Sequence, residues 1–231
     1  MNHLLLLHGA LGAGSQLQAL EPYITTGATL HRLDFPGHGA APIGEDESFR
    51  IERFAADLLS YLDAQSLGTV DIFGYSMGGY VALHLAHTAP ERIGRIATLG
   101  TKFRWSPEIA ARETKMLDAQ KIEQKVPHFA RSLEERHTAI SWKKNLALTA
   151  EMMTALGDAS PLGDPELSSI PHPVRIGVGD RDTTVSVEES CGVFRLLPNA
   201  ELEVLPGTPH PFEKVDLARL GASLSRFFGE V

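Results

Sequence analysis

The chain has 231 residues, of which 43% are hydrophobic, and it carries a formal net charge of −8 at pH 7. That length is typical of a single domain with one sizeable core, and the acidic balance speaks against nucleic acid as a partner. The single cysteine, Cys191, excludes an internal disulfide and gives no indication of an oxidising compartment.

The first seven residues contain a short apolar run, but they lack a basic flank and a cleavage site and lead directly into His8 and Gly9. We therefore predict a strand here and not a signal peptide. No apolar run in the sequence approaches the length of a membrane span. From these features we expect a cytoplasmic protein with no membrane partner.

Short apolar segments rich in β-branched residues alternate with helical patterns along the rest of the chain. Helical spacing is clear over 51–62, a capping box at Ser186 opens a helix that should end near 197, and a last helix follows over 217–227. We find no internal repeat and no linker, so we expect one domain over 1–231. The six predicted strands are about 3–8, 29–34, 69–74, 94–100, 173–179 and 200–205.

The most informative motif is Gly-Tyr-Ser-Met-Gly at 74–78. An apolar strand pattern precedes it at 70–73, and a helical pattern follows it at 79–86. A G-x-S-x-G sequence at a strand-to-helix junction is the nucleophile elbow, a sharp turn that projects the serine hydroxyl. Ser76 is therefore a candidate nucleophile.

A serine hydroxyl needs a base to take its proton and an acid to orient that base. The strand at 174–178 leads to Asp180 and Asp182, and the strand at 202–205 leads to His210. Serine, acid and histidine then follow in the chain order that this kind of site uses. Both aspartates are candidates for the acid.

The chain resembles the α/β-hydrolases. The similarity includes the elbow, a His-Gly motif at 7–12 and an Asp-x-Pro-Gly-His-Gly turn at 34–39. The resemblance implies a catalytic triad of Ser76, Asp182 and His210, since the family's G-x-x-D spacing favours Asp182 over Asp180. It also implies that the mechanism requires no metal or organic cofactor.

The same resemblance implies an oxyanion hole formed by the backbone N–H groups of Ala10 and Met77. It further implies a parallel six-stranded sheet in the order 2-1-3-4-5-6, flanked by helices. Members usually open with an antiparallel strand pair before the strand that leads to the His-Gly motif. Here that strand begins almost at Met1, so we expect the family's first two strands to be missing.

The stretch 103–161 interrupts the alternation of strands and helices, because it has several helix starts and no strand pattern. Helix caps are predicted at Ser106 and Ser141. The resemblance implies that this insertion after strand 4 is a helical lid over the substrate pocket. Residues 102–158 carry ten Lys/Arg and eight Asp/Glu, a net charge of +2. That excess favours an acidic substrate only weakly, and a solvated helical surface explains it equally well.

The four side chains that we predict along the substrate pocket are Leu11, Tyr80, Trp105 and Trp142, and the lid supplies the last two of them. Methionines 116, 152 and 153 are further candidates, although such residues at helical spacing often serve packing only. We interpret His8 and His38 as buried hydrogen-bonding residues. His84 and His87 have the spacing of a metal pair but no third ligand, so we predict no metal site.

The function that these features predict is hydrolysis of a small carboxylic ester or thioester through an acyl-enzyme. An alternative is C–C chemistry, because the motifs also look like those of menaquinone-pathway succinyl-hydroxycyclohexadiene-carboxylate synthases, which carry an arginine where this chain has Tyr80. A non-catalytic ligand-binding protein on the same fold is a third hypothesis. Glycines 9, 12 and 14 resemble a dinucleotide-binding loop, but their spacing is wrong for it.

Overall fold

The computed structural model describes residues 2–44 and 47–229. Within them lies one six-stranded, fully parallel sheet in the order β2-β1-β3-β4-β5-β6. The predicted fold class, sheet order and strand positions are therefore confirmed. The strands are β1 (His3–Leu7), β2 (Thr29–Leu33), β3 (Val70–Tyr75), β4 (Ile93–Leu99), β5 (Val174–Gly179) and β6 (Ala200–Leu205).

Helices cover both faces of the sheet. Their bounds are α1 (Ile51–Ala64), α2 (Met77–Thr88), α3 (Pro107–Thr114), α4 (Ala119–Lys125), α5 (Pro127–Arg136), α6 (Trp142–Asp158), α7 (Asp164–Ser168), α8 (Val187–Phe194) and α9 (Leu217–Phe228). Short 3₁₀ helices cover Gly14–Tyr23, Pro90–Arg92 and Phe212–Lys214.

The core has two layers because side chains alternate across the sheet along each strand. Strand β1 makes this plain, since all four leucines from Leu4 to Leu7 are fully buried. Leu5 and Leu7 belong to the cluster that includes α1 and α2. Leu4 and Leu6 belong to the opposite cluster, with α9 and the 3₁₀ helix. The sheet is thus apolar on both faces, as a parallel sheet between helices requires.

The predicted helix starts at Ser106 and Ser141 are confirmed. Each serine is an N-cap whose hydroxyl accepts the N–H three residues on, from Ile109 and Lys144 respectively. Helices α3 to α7 lie in the connection between β4 and β5, and the described residues there contain no strand. The helical insertion predicted after strand 4 is therefore present.

Two local features differ from the sequence prediction. Helix α8 ends at Phe194 instead of near 197, because the chain tightens after it into a 3₁₀-type bond from the N–H of Leu196 to the carbonyl of Val193. The 3₁₀ helix Gly14–Tyr23 was not predicted, because a helix with three residues per turn lacks the 3.6-residue apolar period.

The first turn of α2 packs so closely on the end of β1 that Gly78 has no room for a side chain. A Cβ at Gly78 would lie 2.5 Å from the carbonyl oxygen of Leu7 and 2.8 Å from that of His8. By contrast, a Cβ at Gly192 on α8 would meet nothing within 4 Å. The two glycines therefore differ in packing and provide a matched pair.

We expect Gly78→Ala to lower the free energy of unfolding by about 1–3 kcal/mol, because backbone atoms cannot move aside cheaply. Gly192→Ala should instead raise it by about 0.5–1 kcal/mol, since alanine suits a helix better than glycine. Urea unfolding followed by tryptophan fluorescence measures both changes. Equal effects of the two substitutions would contradict the tight packing of α2 on β1.

Candidate active site

Ser76 lies in the turn between β3 and α2, where the backbone is forced into an unusual conformation. Its φ of +50° and ψ of −116° are rarely adopted by a residue with a side chain. The turn is held at the carbonyl of Ser76, which accepts hydrogen bonds from the N–H of Gly79 at 3.0 Å and the hydroxyl of Thr101 at 2.9 Å. Strain of this kind costs on the order of 1–3 kcal/mol and occurs mainly at functional sites.

The three side chains predicted as a triad lie together. The Ser76 Oγ is 3.4 Å from Nε2 of His210, and Nδ1 of His210 is 2.7 Å from Oδ2 of Asp182. The carboxylate can only accept in its short contact with the ring, so Nδ1 carries a proton and Nε2 is free to accept one from Ser76. This is the arrangement that general-base activation of a serine needs.

Asp182 is oriented by the turn that follows β5. Its second oxygen, Oδ1, accepts the backbone N–H groups of Thr184 and Val185, both at 2.8 Å, and its side chain is only 2% exposed. Asp180 lies in the same loop, but its carboxylate accepts the N–H of Thr208 at 3.3 Å. Of the two candidate acids, Asp182 is the one in contact with the histidine.

Tyr75 holds the backbone of His210, a role that sequence reasoning missed. Its hydroxyl donates to the His210 carbonyl oxygen at 2.7 Å. Burial raises the pKa of the Tyr75 phenol above its ordinary value, so the hydroxyl keeps the proton that it donates. The loop after β6 is thus tied to the end of β3, beside the serine.

The backbone N–H groups of Ala10 and Met77 are both free of hydrogen-bond partners among residues 2–44 and 47–229. Both residues line the same cavity as Ser76. Met77 is the first residue of α2, so its N–H lies at the positive end of the helix dipole. Two free donors beside a nucleophile are what a developing oxyanion requires.

His8 fixes the direction of the Ala10 N–H. Its Nε2 accepts the N–H of Phe35 at 3.1 Å, so the ring proton is on Nδ1, which donates to the carbonyl of Gly9 at 2.8 Å. The N–H of Gly12 donates to the same carbonyl at 3.0 Å. Because Gly9 C=O and Ala10 N–H point in opposite directions across one trans peptide, the N–H is held in place.

Both His8 and His38 are buried and close to one another, with ring centroids 5.0 Å apart. Burial lowers the pKa of His8 from 6.5 to about 4. Burial, and then the neighbouring rings of His8 and His137, lower the pKa of His38 well below its ordinary value. These histidines are therefore neutral in the folded protein at pH 7.

The lowered pKa values of His8 and His38 predict that the protein loses stability in mild acid. Above pH 6.5 the two histidines are neutral in both the folded and the unfolded chain. As the pH falls from 6.5 towards 4, the unfolded chain binds protons that the folded chain does not, so the free energy of unfolding decreases. For His8 alone the full loss is on the order of 3 kcal/mol.

Urea unfolding at intervals between pH 7.5 and 5 measures this slope, in a range where most carboxylates remain ionised. His8→Gln keeps a donor and an acceptor at this position but removes the titration, so its slope should be shallower. A free energy of unfolding that stays constant from pH 7 to 5 would contradict the prediction.

The candidate triad opens onto a cavity of about 450 Å³, within the size range of small-molecule sites. Its lining is mostly apolar. Three of the four side chains predicted to line the pocket do so, namely Leu11, Tyr80 and Trp105, as do Met116, Met152 and Met153. Leu117 and Phe129 line it as well and were not singled out in the sequence.

Trp142, by contrast, is not among the residues that line this cavity. It is 6% exposed and packs inside the insertion, in a cluster with Ile122, Ala130, Leu133 and Leu146. The position of Trp142 therefore does not support its predicted place along the substrate pocket. Helical periodicity identified an apolar face, but that face contacts neighbouring helices of the insertion.

Tyr80 reaches the cavity wall with its ring, while its hydroxyl has other partners. The hydroxyl lies 2.6 Å from Oγ of Ser160 and accepts the N–H of Leu162 at 3.2 Å. Burial raises the pKa of Tyr80 to about 12. Tyr80 is thus a neutral side chain that connects α2 to the end of the insertion.

The insertion also contacts the loop that contains Ala10. The carbonyl of Leu11 accepts hydrogen bonds from Nη1 of Arg136 at 2.8 Å and from Nε2 of His137 at 3.1 Å. The N–H of Gly39 donates to Nδ1 of His137 at 3.0 Å, which fixes the ring proton on Nε2. Leu11 itself has a φ of +58°, so these bonds hold a strained residue next to the free N–H.

No group of three His, Cys, Asp or Glu side chains within the described residues could hold a metal ion. His87 instead pairs with Ser169, with 2.8 Å between Nδ1 and Oγ. In the described part of the chain, no helix is both long and apolar enough to cross a membrane.

A family model described as the alpha/beta hydrolase fold matches residues 2–169. A pimeloyl-[acyl-carrier protein] methyl ester esterase from Aromatoleum aromaticum is 36% identical over 111 residues, which cover 47% of this chain and 41% of that protein. The match thus spans less than half of that relative. A provisionally named 2-succinyl-6-hydroxy-2,4-cyclohexadiene-1-carboxylate synthase from Bacillus subtilis is 24% identical, over 97% of this chain and 89% of that protein.

Among solved structures, a thermophilic esterase from Thermogutta terrifontis superposes with a TM-score of 0.79. The two chains share 21% sequence identity, and the alignment covers 98% of this chain and 89% of the esterase. At that identity the similarity shows the shared fold. A shared fold does not determine the reaction, which follows from the geometry of the residues around Ser76.

Proposed function

The chain belongs to the alpha/beta hydrolase fold family, and we propose that it is a serine hydrolase that cleaves a carboxylic ester or thioester through an acyl-enzyme intermediate. The observation that carries this proposal is the hydrogen-bonded series Asp182–His210–Ser76 beside the free N–H groups of Ala10 and Met77. The esterase among its relatives supports the same reaction class.

In the acylation step, Nε2 of His210 takes the Ser76 proton while Oγ attacks the substrate carbonyl carbon. The N–H groups of Ala10 and Met77 donate to the oxyanion that forms, and each such donor is worth on the order of 10²–10³ in rate. Asp182 stabilises the charged imidazole and keeps its orientation. When the tetrahedral intermediate collapses, His210 returns the proton to the leaving alcohol or thiol.

Deacylation repeats the same steps with water. His210 takes a proton from the water that attacks the acyl carbon, and the oxyanion again lies between the two N–H groups. Ser76 then leaves with the proton from His210, and the carboxylic acid product is released. Within this proposal the residues 103–161 act as a lid, because Trp105, Met116 and Met153 from that segment line the cavity next to the serine.

The alternative C–C chemistry has less support. The synthases that the chain resembles use an arginine at the position of Tyr80, whereas the Tyr80 phenol is neutral and its hydroxyl is bonded to Ser160 and Leu162. Tyr80 therefore cannot supply the positive charge that would bind a substrate carboxylate. We accordingly favour the ester or thioester reaction.

The direct test is hydrolysis of p-nitrophenyl esters from acetate to octanoate, followed by release of p-nitrophenol. We expect turnover with an optimum at one intermediate chain length, because the cavity has a finite volume of about 450 Å³. Tight binding of the esters with no turnover would instead favour the non-catalytic binding protein, and turnover without any dependence on chain length would argue against this cavity as the acyl site.

A further inference from the structure

Two oppositely charged side chains line the mostly apolar cavity and have no part in the proposed acyl transfer. They are Lys102, which follows β4, and Glu113 on α3. Lys102 is 9% exposed and Glu113 is 6% exposed. Charged residues are seldom buried to this extent unless they are paired, so their position in the cavity wall calls for an explanation.

The Lys102 ammonium is poorly satisfied by its neighbours. Its Nζ lies 3.5 Å from Oε2 of Glu189 and 3.9 Å from Oε1 of Glu113. Both distances exceed the 2.7–2.9 Å of a strong charge-assisted hydrogen bond. No hydrogen bond from Nζ is formed within the described segments. An ammonium has three donors, and Nζ is not one of the fully buried polar atoms that lack a partner, so these donors can be reached from the cavity.

The two carboxylates, by contrast, already have close partners. Oε1 of Glu189 accepts the backbone N–H groups of Phe103 at 2.8 Å and Arg104 at 2.9 Å. Oε1 of Glu113 accepts from Nη2 of Arg112 at 2.9 Å. They are therefore held in place, and the unused hydrogen-bonding capacity belongs mainly to the lysine.

We propose that Lys102 and Glu113 form a polar subsite that binds a neutral hydroxyl group of the substrate, away from the scissile carbonyl. The ammonium donates a hydrogen bond to the hydroxyl oxygen, and the Glu113 carboxylate accepts a hydrogen bond from the hydroxyl group. A hydroxyl suits the pair because it both accepts and donates, whereas a hydrocarbon leaves the donors of the lysine unused.

The charges around the subsite argue against a carboxylate in the same place. Lys102 contributes one positive charge, while Glu113 and Glu189 contribute two negative ones. Arg112 offsets Glu113 only partly, because its side chain is 66% exposed and screened by solvent. A substrate carboxylate would approach two glutamates, so the subsite discriminates against it.

The subsite rests on the proposed ester hydrolysis, and its test compares esters within one enzyme. On the acyl side the probes are p-nitrophenyl hexanoate, its 3-hydroxy and 6-hydroxy derivatives, and mono-p-nitrophenyl adipate. On the alcohol side they are hexyl acetate and 6-hydroxyhexyl acetate, whose hydrolysis is followed by titration of the released acid. We expect kcat/KM for at least one hydroxy ester to exceed that of its parent by about tenfold or more, and the adipate half-ester to fall below its parent.

The variant to compare is Lys102→Met/Glu189→Gln, because removal of the lysine alone would take the cation from Glu189 and leave the buried Glu113 paired only with the exposed Arg112, which could unfold the chain. Glutamine at 189 keeps a carbonyl oxygen for the N–H groups of Phe103 and Arg104. In this variant the kcat/KM for the preferred hydroxy ester, divided by the kcat/KM for its parent ester, should fall to about one. Lys115→Met removes a lysine from an exposed position of the insertion and should leave the ratio as in the wild type.

Three results would overturn the subsite: no hydroxy ester preferred over its parent, a preference that survives in the double variant, or a half-ester preferred over the hydroxy esters. Hydrolysis of the parent esters without a hydroxyl preference would overturn the subsite alone. Failure to hydrolyse any parent ester would overturn the proposed function, and the subsite with it.

Discussion

Replacement of Ser76 by alanine is expected to lower ester turnover by a factor on the order of 10⁴–10⁶, the loss that follows removal of an activated serine nucleophile. The alanine variant has no oxygen to form the acyl-enzyme, while His210 and the two free N–H groups stay in place. The remaining rate should be that of binding and oxyanion stabilisation alone. Release of p-nitrophenol at saturating ester measures this loss.

The fold should tolerate this change. Among the described residues, the Ser76 hydroxyl has a hydrogen-bond partner only in His210, and the turn is held by backbone groups and by Thr101. Alanine keeps the same Cβ at the same positive φ, so the strain of the turn is unchanged. The melting temperature of the variant should therefore lie within a few degrees of the wild type.

Ser132→Ala is the matched control, since Ser132 lies on α5 and its hydroxyl donates to its own helix at the carbonyl of His128. It should retain wild-type turnover. A fluorophosphonate reagent offers a second readout, because the serine oxygen displaces fluoride and the labelled peptide is identified by mass. Labelling of the wild type at a residue other than Ser76, or full activity in Ser76→Ala, would show that the nucleophile elbow is not part of the active site.

The parts of the fold that were predictable are those that local patterns determine. Buried strands such as 3–7 and 174–179 are short apolar runs, and helix starts such as Ser106 carry their own caps. The position of Ser76 was predictable for the same reason, because a Cβ at Gly74 would lie 2.4 Å from the backbone nitrogen of Gly79, only five residues on, and the motif must follow a strand. These features depend on neighbours in sequence.

The cavity wall was less predictable because it is made by contacts between distant segments. Trp142 and Trp105 are both apolar residues of the insertion, yet only Trp105 faces the cavity. Lys102 and Glu113 are ordinary charged residues in the sequence, where charge indicates an exposed position. Only the packing of α3 against the loop after β4 buries them together. The bonds from Arg136 and His137 to Leu11 span more than 120 residues and have no local pattern.

Asp182→Asn is expected to reduce turnover by about 10⁴-fold while the fold persists. Asparagine can keep its carbonyl oxygen on the N–H groups of Thr184 and Val185, because that position only accepts. Its amide nitrogen then faces Nδ1 of His210 and donates to it. The ring proton moves to Nε2, where it points at Ser76, and the imidazole can no longer take the serine proton.

Asp180→Asn is the matched control, since it makes the same chemical change two residues away. Among the described residues, the Asp180 carboxylate accepts one hydrogen bond, from the N–H of Thr208 at 3.3 Å, and lies 3.9 Å from Nε of the exposed Arg181; an amide oxygen can accept the Thr208 N–H in its place. The turnover of this variant should stay within about threefold of the wild type, because a change outside the reacting groups removes little of the stabilisation of the transition state. Comparing kcat/KM for the two variants therefore separates orientation of the histidine from a general loss of negative charge in the loop. A larger loss in Asp180→Asn than in Asp182→Asn would assign the acid to Asp180, and the 2.7 Å contact with His210 would then have no catalytic meaning.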